Sequence, residues 1–346
     1  MKKLLILVAM LLVCSTKVNA MDFTAPSAPE SVSEYMPAQT STFWNDLWYI
    51  VQSALPELMP NFTQALRICI TLVAIAFFVS ISKNLSDTSQ KTIVFVGMIA
   101  ANTVLLEPSK SMIHLGADTI HQLTEYGKLL LPVMTASLAA QGGITTSASL
   151  YTGTILFNSA LVFCITKIIV PCIYAYLITS IASSVLSTDI LTGLCNCIKW
   201  LMTWLLKIIL YIFTGYIGIT GVISGTADAA AVKAAKITLS GVVPVVGGIM
   251  SDASEAILVS AGLMKNAAGI YGFLALAAIL ISPFLKIGVQ YLILKTTAAI
   301  CGVLGSNEIS KLVRSFSGAM GIILAAAGSV CLMFLFSIFC YMKGLS

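Results

Sequence analysis

Asp252 and Glu255 are the carboxylates whose setting most invites a function. They stand in SGVVPVVGGIMSDASEAILVSAGLMKNAA (240–268), a stretch apolar enough to enter a bilayer but unable to cross it as one straight helix. Pro244 removes a backbone donor, and Gly247 and Gly248 loosen the chain just after it. Ser251 and Asp252 then supply N-cap chemistry, with Glu255 three residues beyond Asp252 in the capping-box position. The stretch therefore reads as apolar segment, break and fresh helix start. In lipid a broken backbone persists only where protein or a water-filled cavity satisfies its freed polar groups. That makes 240–268 a candidate pore or substrate element, and Lys265 within it is one of the few charges expected in or near the bilayer core. The plainer alternative is a capped helix at the membrane surface. Other chemistry is sparse. His114 and His121 are the only histidines; seven residues apart, they share one helix face and suit a solvated connector better than a proton relay. Cys195 and Cys197 form a CxC without a nearby histidine, so the sequence predicts structural cysteines, no metal site and no disulfide framework. No Walker A, HExxH or GxSxG motif occurs, and no catalytic residue or cofactor is expected.

The elements that must position these residues are membrane helices. The 346 residues are 58% hydrophobic and 10% charged, with mean hydropathy +0.97; soluble domains are roughly 45–50% apolar and about 25% charged. The net charge of +5 includes Lys2, Lys3 and Lys17 of the leader and is otherwise scattered among apolar spans, so it is no nucleic-acid signal. Residues 1–20 have the basic start, apolar run and small-residue box of a signal peptide, with an uncleaved signal anchor as the alternative. Residues 21–60 hold five prolines, five acidic residues and no Lys or Arg, which favours the non-cytoplasmic side. Within them Trp44, Leu47, Trp48 and Val51 recur at helical spacing, as in an interfacial or partner-binding helix. Residues 62–82 and 92–106 are spans, and 107–128 a polar connector. A second interrupted stretch follows at 129–147, marked by Pro132 and then Gly142 and Gly143. Residues 151–186 are apolar but broken by Lys167 and Pro171, as one kinked helix or a hairpin. Residues 200–223 cross again; Lys207 within them would cost about 2.5–3.5 kcal/mol at the centre of a lone span. Residues 226–237 read as a surface helix, 270–285 and 287–304 as two apolar runs, and 318–341 as the last span.

The two halves repeat. Leu131-Pro132-Val133-Met134 resembles Val243-Pro244-Val245-Val246 at an offset of 112 residues, and Pro171 and Pro283 share that offset. Ser187-Thr188-Asp189-Ile190 resembles Ser306-Asn307-Glu308-Ile309 at an offset of 119, reconciled by an insertion of seven. Each half runs through interrupted segment, apolar region with internal proline, acidic connector and final span. The expected organisation is an all-α polytopic membrane protein of about 6–8 spans with an internal duplication. Its parts are a signal peptide (1–20), an acidic non-cytoplasmic segment (21–60), two spans and a connector (61–128), a first repeat (129–223) and a second repeat (224–346) containing the broken helix. Paired broken segments in a duplicated unit are the pattern of transporter- or channel-like cores.

The VPVVGGIMSDASEAILVSAGLMKNAAGIYG stretch, the preceding TGYIGITGVISGTADAAAVKAAKITLSG and the following ISPFLKIGVQYLILK resemble the stage III sporulation protein AE family of endospore-forming bacteria, most strongly over 214–316. The resemblance implies a multi-pass protein of the mother-cell membrane surrounding the forespore. It implies partners: other proteins of the same operon, including a cytoplasmic ATPase, and a forespore-side protein, together forming a secretion-like complex between the two cells. No nucleic acid is implied, and oligomers are allowed. On this reading the chain is a non-enzymatic channel or permease-like component. The alternatives are a scaffold that anchors the ATPase and ring proteins, or a stand-alone secondary transporter.

Overall fold

The computed structural model describes residues 26–33, 35–36, 43–85, 90–186, 189–242 and 247–343; over 220–259 it describes the backbone and, of the side chains, that of Asp228. The signal peptide expected at 1–20 lies outside the described residues. What is described is helical: α1 (Phe43–Ala54), α2 (Leu58–Leu85), α3 (Gln90–Ala140), α4 (Ile144–Cys164), α5 (Val170–Leu186), α6 (Asp189–Val242), α7 (Gly247–Val303) and α8 (Asn307–Lys343). A single helical turn, Glu30–Ser33, precedes them. Among the described residues six helices are long and apolar enough to cross a membrane, with α4 and α5 counted as one. The chain is an all-α polytopic membrane protein.

The core is built on α8. Its Leu312, Phe316, Ala319, Ile323, Ala327, Val330, Phe334, Ile338 and Tyr341 recur every three or four residues and are all buried, the spacing of one helix face. α3 runs parallel to α8, and a Cβ on Gly127 would meet the Phe334 ring at 2.2 Å. α7 turns back into α8 through Gly305, whose φ of 84° only glycine adopts without strain. Small hydroxyls join helices, as is common where lipid offers no hydrophobic drive for association. Thr135 bonds Tyr341 at 2.9 Å, Thr154 bonds Ser337 at 2.9 Å, and Ser310 Oγ donates to the Ala298 carbonyl at 2.6 Å.

α2 lies alongside the second half of α7 in the same direction, with an ionic clasp at each end. At its start Glu57 accepts from Lys286 Nζ at 2.6 Å, from Ser282 Oγ at 2.8 Å and from the Tyr35 hydroxyl. Near its end Lys83 Nζ lies 2.9 Å from Glu308 Oε2. Between them the 26 residues Leu58–Lys83 rise about 39 Å, enough to cross a hydrocarbon layer of about 30 Å. Phe62, Leu66, Ile70, Phe77 and Phe78 are exposed along this length, as a lipid-facing helix requires.

Four sequence expectations are corrected. Pro132 does not interrupt α3, which continues to Ala140. The proline removes one intrahelical donor, but Leu130, Leu131, Met134 and Leu138 are buried around it and hold the helix together. The break falls at Gln141–Gly143 instead. Nor is 107–128 a separate solvated connector: it is the middle of the 51-residue α3. One face carries exposed His114, Asp118, His121 and Glu125, while Ile113, Ile120, Leu123 and Tyr126 are buried on the other. Finally, the runs at 270–285 and 287–304 are one helix passing through Pro283 and Lys286, and 226–237 continues α6 rather than forming its own helix. The choice left open at 151–186 falls to the kinked helix. α4 enters α5 through a π-helical turn, Ile165–Ile169, in which Val170 N donates to Ile165 O. The wider turn accommodates Pro171, which has no N–H to offer.

Candidate functional site

The interrupted stretches are where this helical fold must satisfy free backbone groups. At the first, α3 ends with Gly142 N donating to Ala139 O at 2.9 Å and Gly143 N to Leu138 O at 3.1 Å. Gly142 sits at φ 95°, in the left-handed region that glycine enters freely. The chain turns here into α4, whose first amides have no intrahelical acceptor. Asp228 of α6 supplies one from across the fold. Its Oδ2 accepts from Thr146 N at 2.7 Å and its Oδ1 from Thr145 N at 3.1 Å. A carboxylate placed there also meets the positive end of the α4 dipole. Burial alone pushes the Asp228 carboxyl up, but hydrogen-bond donation by Thr146 and Thr145 outweighs it and holds the group below the ordinary aspartate value.

The second stretch reaches the same place. A Cβ on Gly262 of α7 would stand 2.5 Å from the Gln141 side-chain amide, so the first turn is seated on the helix that leaves the second. Lys265, one turn further along α7, is 5% exposed. Gln141 Oε1 and Thr146 Oγ1 are buried at this junction with no hydrogen-bond partner among the described residues. Buried polar atoms of this kind are ordinarily met by water. The result is a polar junction of backbone ends, hydroxyls, an amide and a carboxylate, with Lys265 close by on α7.

Of the residues singled out in the sequence, Gly142, Gly143 and Lys265 lie at this junction, and Pro132 lies within α3 at its approach. α6 ends at Val242 and α7 begins at Gly247. Pro244 lies between them, outside the described residues. Gly247 and Gly248 open α7, and Asp252 and Glu255 follow within its first turns; their side chains lie outside those described. The helix thus starts ahead of the Ser251–Asp252 cap that the sequence suggested, because the two glycines are taken into it. Asp228 was not legible. It sits in an alanine-rich segment whose pattern shows only an exposed helix, and its partners are 82 and 83 residues away in sequence.

Among the described residues the junction holds no arrangement for bond chemistry. It pairs no nucleophile with a base, and among the described residues no group of three His, Cys, Asp or Glu side chains could hold a metal ion. What it offers is a set of fixed polar groups held between helices.

The family model described as stage III sporulation protein AE matches residues 31–343. The chain belongs to the stage III sporulation protein AE family. It is 27% identical over 273 residues to the stage III sporulation protein AE of Bacillus subtilis (strain 168), an alignment that covers 78% of this chain and 68% of that protein. No solved structure matches. The family match takes in α1 to α8 together, so the helix-break junction and the clasped α2 both lie within the matched residues.

Proposed function

We propose that this chain is a non-enzymatic, channel- or permease-like component of the transport complex joining mother cell and forespore during endospore formation, set in the mother-cell membrane around the forespore. The observation that carries the reading is the junction of Asp228, Gln141–Gly143, Thr146 and Lys265. There Gln141 Oε1 and Thr146 Oγ1, buried without a hydrogen-bond partner among the described residues, lie with the Asp228 carboxylate beside α7, the helix that leaves the second interrupted segment. Broken helices with free backbone ends are how membrane proteins hold water and polar cargo away from lipid. Sporulation enters through family membership. Energy would come from a separate cytoplasmic ATPase of the same operon, and a forespore-side protein would complete the conduit.

The test is a pair of variants in a sporulating host, Asp228→Ala with Lys265→Ala and Asp252→Ala with Glu255→Ala, scored for heat-resistant spores and for co-purification of the partner proteins. Loss of spores with the complex still assembled is the expected result. Normal spore yield from both variants would remove the conduit role and leave the scaffold. Single cysteines placed from 240 to 268 report the lumen independently. A water-accessible periodicity is expected along α7, and uniform protection of all of them contradicts a conduit.

A further inference from the structure

Away from the junction, a groove of about 700 Å³ opens between α6, α7 and α8. Lys199, Lys207, Lys295 and Arg314 line it. All four are exposed, and none forms an ion pair among the described residues. Lys295 Nζ donates to the Tyr291 hydroxyl at 3.2 Å and lies 5.4 Å from that ring's centre. No carboxylate lines the groove among the described residues. Four cations without a counter-charge ask for an anion.

The depth of the groove narrows the choice. Tyr291, Lys295 and Ala299 lie on α7 between Lys286 and the turn that leads to Glu308, the partners of the two clasps at the ends of α2. The groove therefore stands within the length of α2 that crosses the bilayer. Beside it on α6, Trp200 and Trp204 are exposed and stacked, ring centres 6.0 Å apart, the residue type that settles at headgroup level. Basic pockets between membrane helices at that level suit phospholipid headgroups. A second cavity of about 470 Å³ lies beside the first, and Leu210 lines both. Phe213, Leu332, Met333, Phe336 and Phe339 line it, and it contains no charged side chain. A basic groove with an apolar groove beside it matches an amphiphile better than a free anion.

We propose that this double groove is a binding site for an acidic phospholipid. The phosphate sits among Lys199, Lys295 and Arg314, Lys207 lies deeper, and an acyl chain runs past Leu210 between α6 and α8.

The experiment uses the full chain purified in detergent, exchanged into defined dioleoyl phosphatidylglycerol or dioleoyl phosphatidylcholine, and read by native mass spectrometry. Wild type is expected to retain phosphatidylglycerol at least tenfold better than phosphatidylcholine. A Lys199→Gln, Lys295→Gln, Arg314→Gln variant loses that preference, while Lys199→Arg with Lys295→Arg keeps it and shows that charge, not fold, is being read. Leu210→Trp fills the apolar groove with all four cations intact and is expected to weaken phosphatidylglycerol retention at least tenfold. Equal retention of the two lipids by wild type, or no lipid retained by a monodisperse preparation, overturns the site. Displacement of the lipid by millimolar inorganic phosphate, with Leu210→Trp without effect, would assign the basic groove to a soluble anion and overturn the lipid reading.

Discussion

At Asp228 a single carboxylate ties α6 to the start of α4. Hydrogen bonds to a charged group contribute about 1.5–3 kcal/mol, and here two are made in a buried setting. Asp228→Asn keeps one acceptor oxygen, so a loss of about 1–3 kcal/mol is expected, measured by denaturant unfolding of the purified protein in micelles. The pH dependence has a definite sign. The folded value of this carboxyl lies below the ordinary one, so its stabilisation is complete above the unfolded value of about 3.9 and fades as pH falls through the folded value. The gap between wild type and Asp228→Asn should hold steady from about pH 5 to pH 8 and narrow progressively below about pH 4. A gap that widens on acidification would mean that the carboxylate is not the group tying the helices. Glu57 is also held low, chiefly by its hydrogen bond to Lys286. Its side chain is 40% exposed, however, so solvent screening leaves that clasp worth no more than about 1 kcal/mol.

Between helices, the tightest constraint is the seat of Phe334 on Gly127. A methyl group at 127 would overlap the ring at 2.2 Å, and the ring is 1% exposed with little room to retreat. Alanine favours a helix by up to about 1 kcal/mol over glycine, but overpacking a filled core costs about 1–3 kcal/mol. Gly127→Ala is therefore expected to destabilise. Phe334→Leu opens space, so the double variant should lose less than the sum of the two singles, by about 1 kcal/mol or more in a double-mutant cycle. Strict additivity would show that α3 and α8 do not meet there. Contacts of this kind also mark what the sequence could and could not disclose. The apolar spans and the break at Gly142–Gly143 rest on local chemistry and are readable from residues in a row, whereas at Lys167–Pro171 the residues show an interruption but not whether it is a kink or a hairpin. α3 was divided wrongly because average polarity over 107–128 conceals that Ile113, Ile120, Leu123 and Tyr126 share a buried face opposite His114, Asp118 and Glu125. Pro132 was overweighted because one missing donor is outvoted by packing on both sides of it. Asp228, the Gly127–Phe334 seat and the basic groove depend on partners tens to hundreds of residues away, and no local pattern announces such pairs.

Taken whole, the molecule is taller than the bilayer it crosses. The 42 residues Ile144–Val185 rise about 63 Å as one helix, against about 40–45 Å for a bilayer with its headgroups. Part of the bundle must therefore stand clear of the hydrocarbon, and the charge distribution indicates which end faces which side. The end of α2, the start of α3 and the α7–α8 turn gather at one end, where Ser306 Oγ donates to Ala76 O and Lys83 meets Glu308. Lys199, Lys295, Lys311 and Arg314 lie towards that end. Residues 26–57 pack at the far end of α2, through Ala28 on Tyr271, Phe43 on Phe273 and Glu57 on Lys286, and the 21–60 segment contains no Lys or Arg. Short basic connections stay in the cytoplasm, so the Gly305 turn is expected to be cytoplasmic and α1 outside. In a cysteine-free background, a membrane-impermeant maleimide should label Gln52→Cys on intact cells. It should reach Asn307→Cys only after permeabilisation. The opposite labelling would invert the molecule and place the polar junction at Asp228 on the cytoplasmic side.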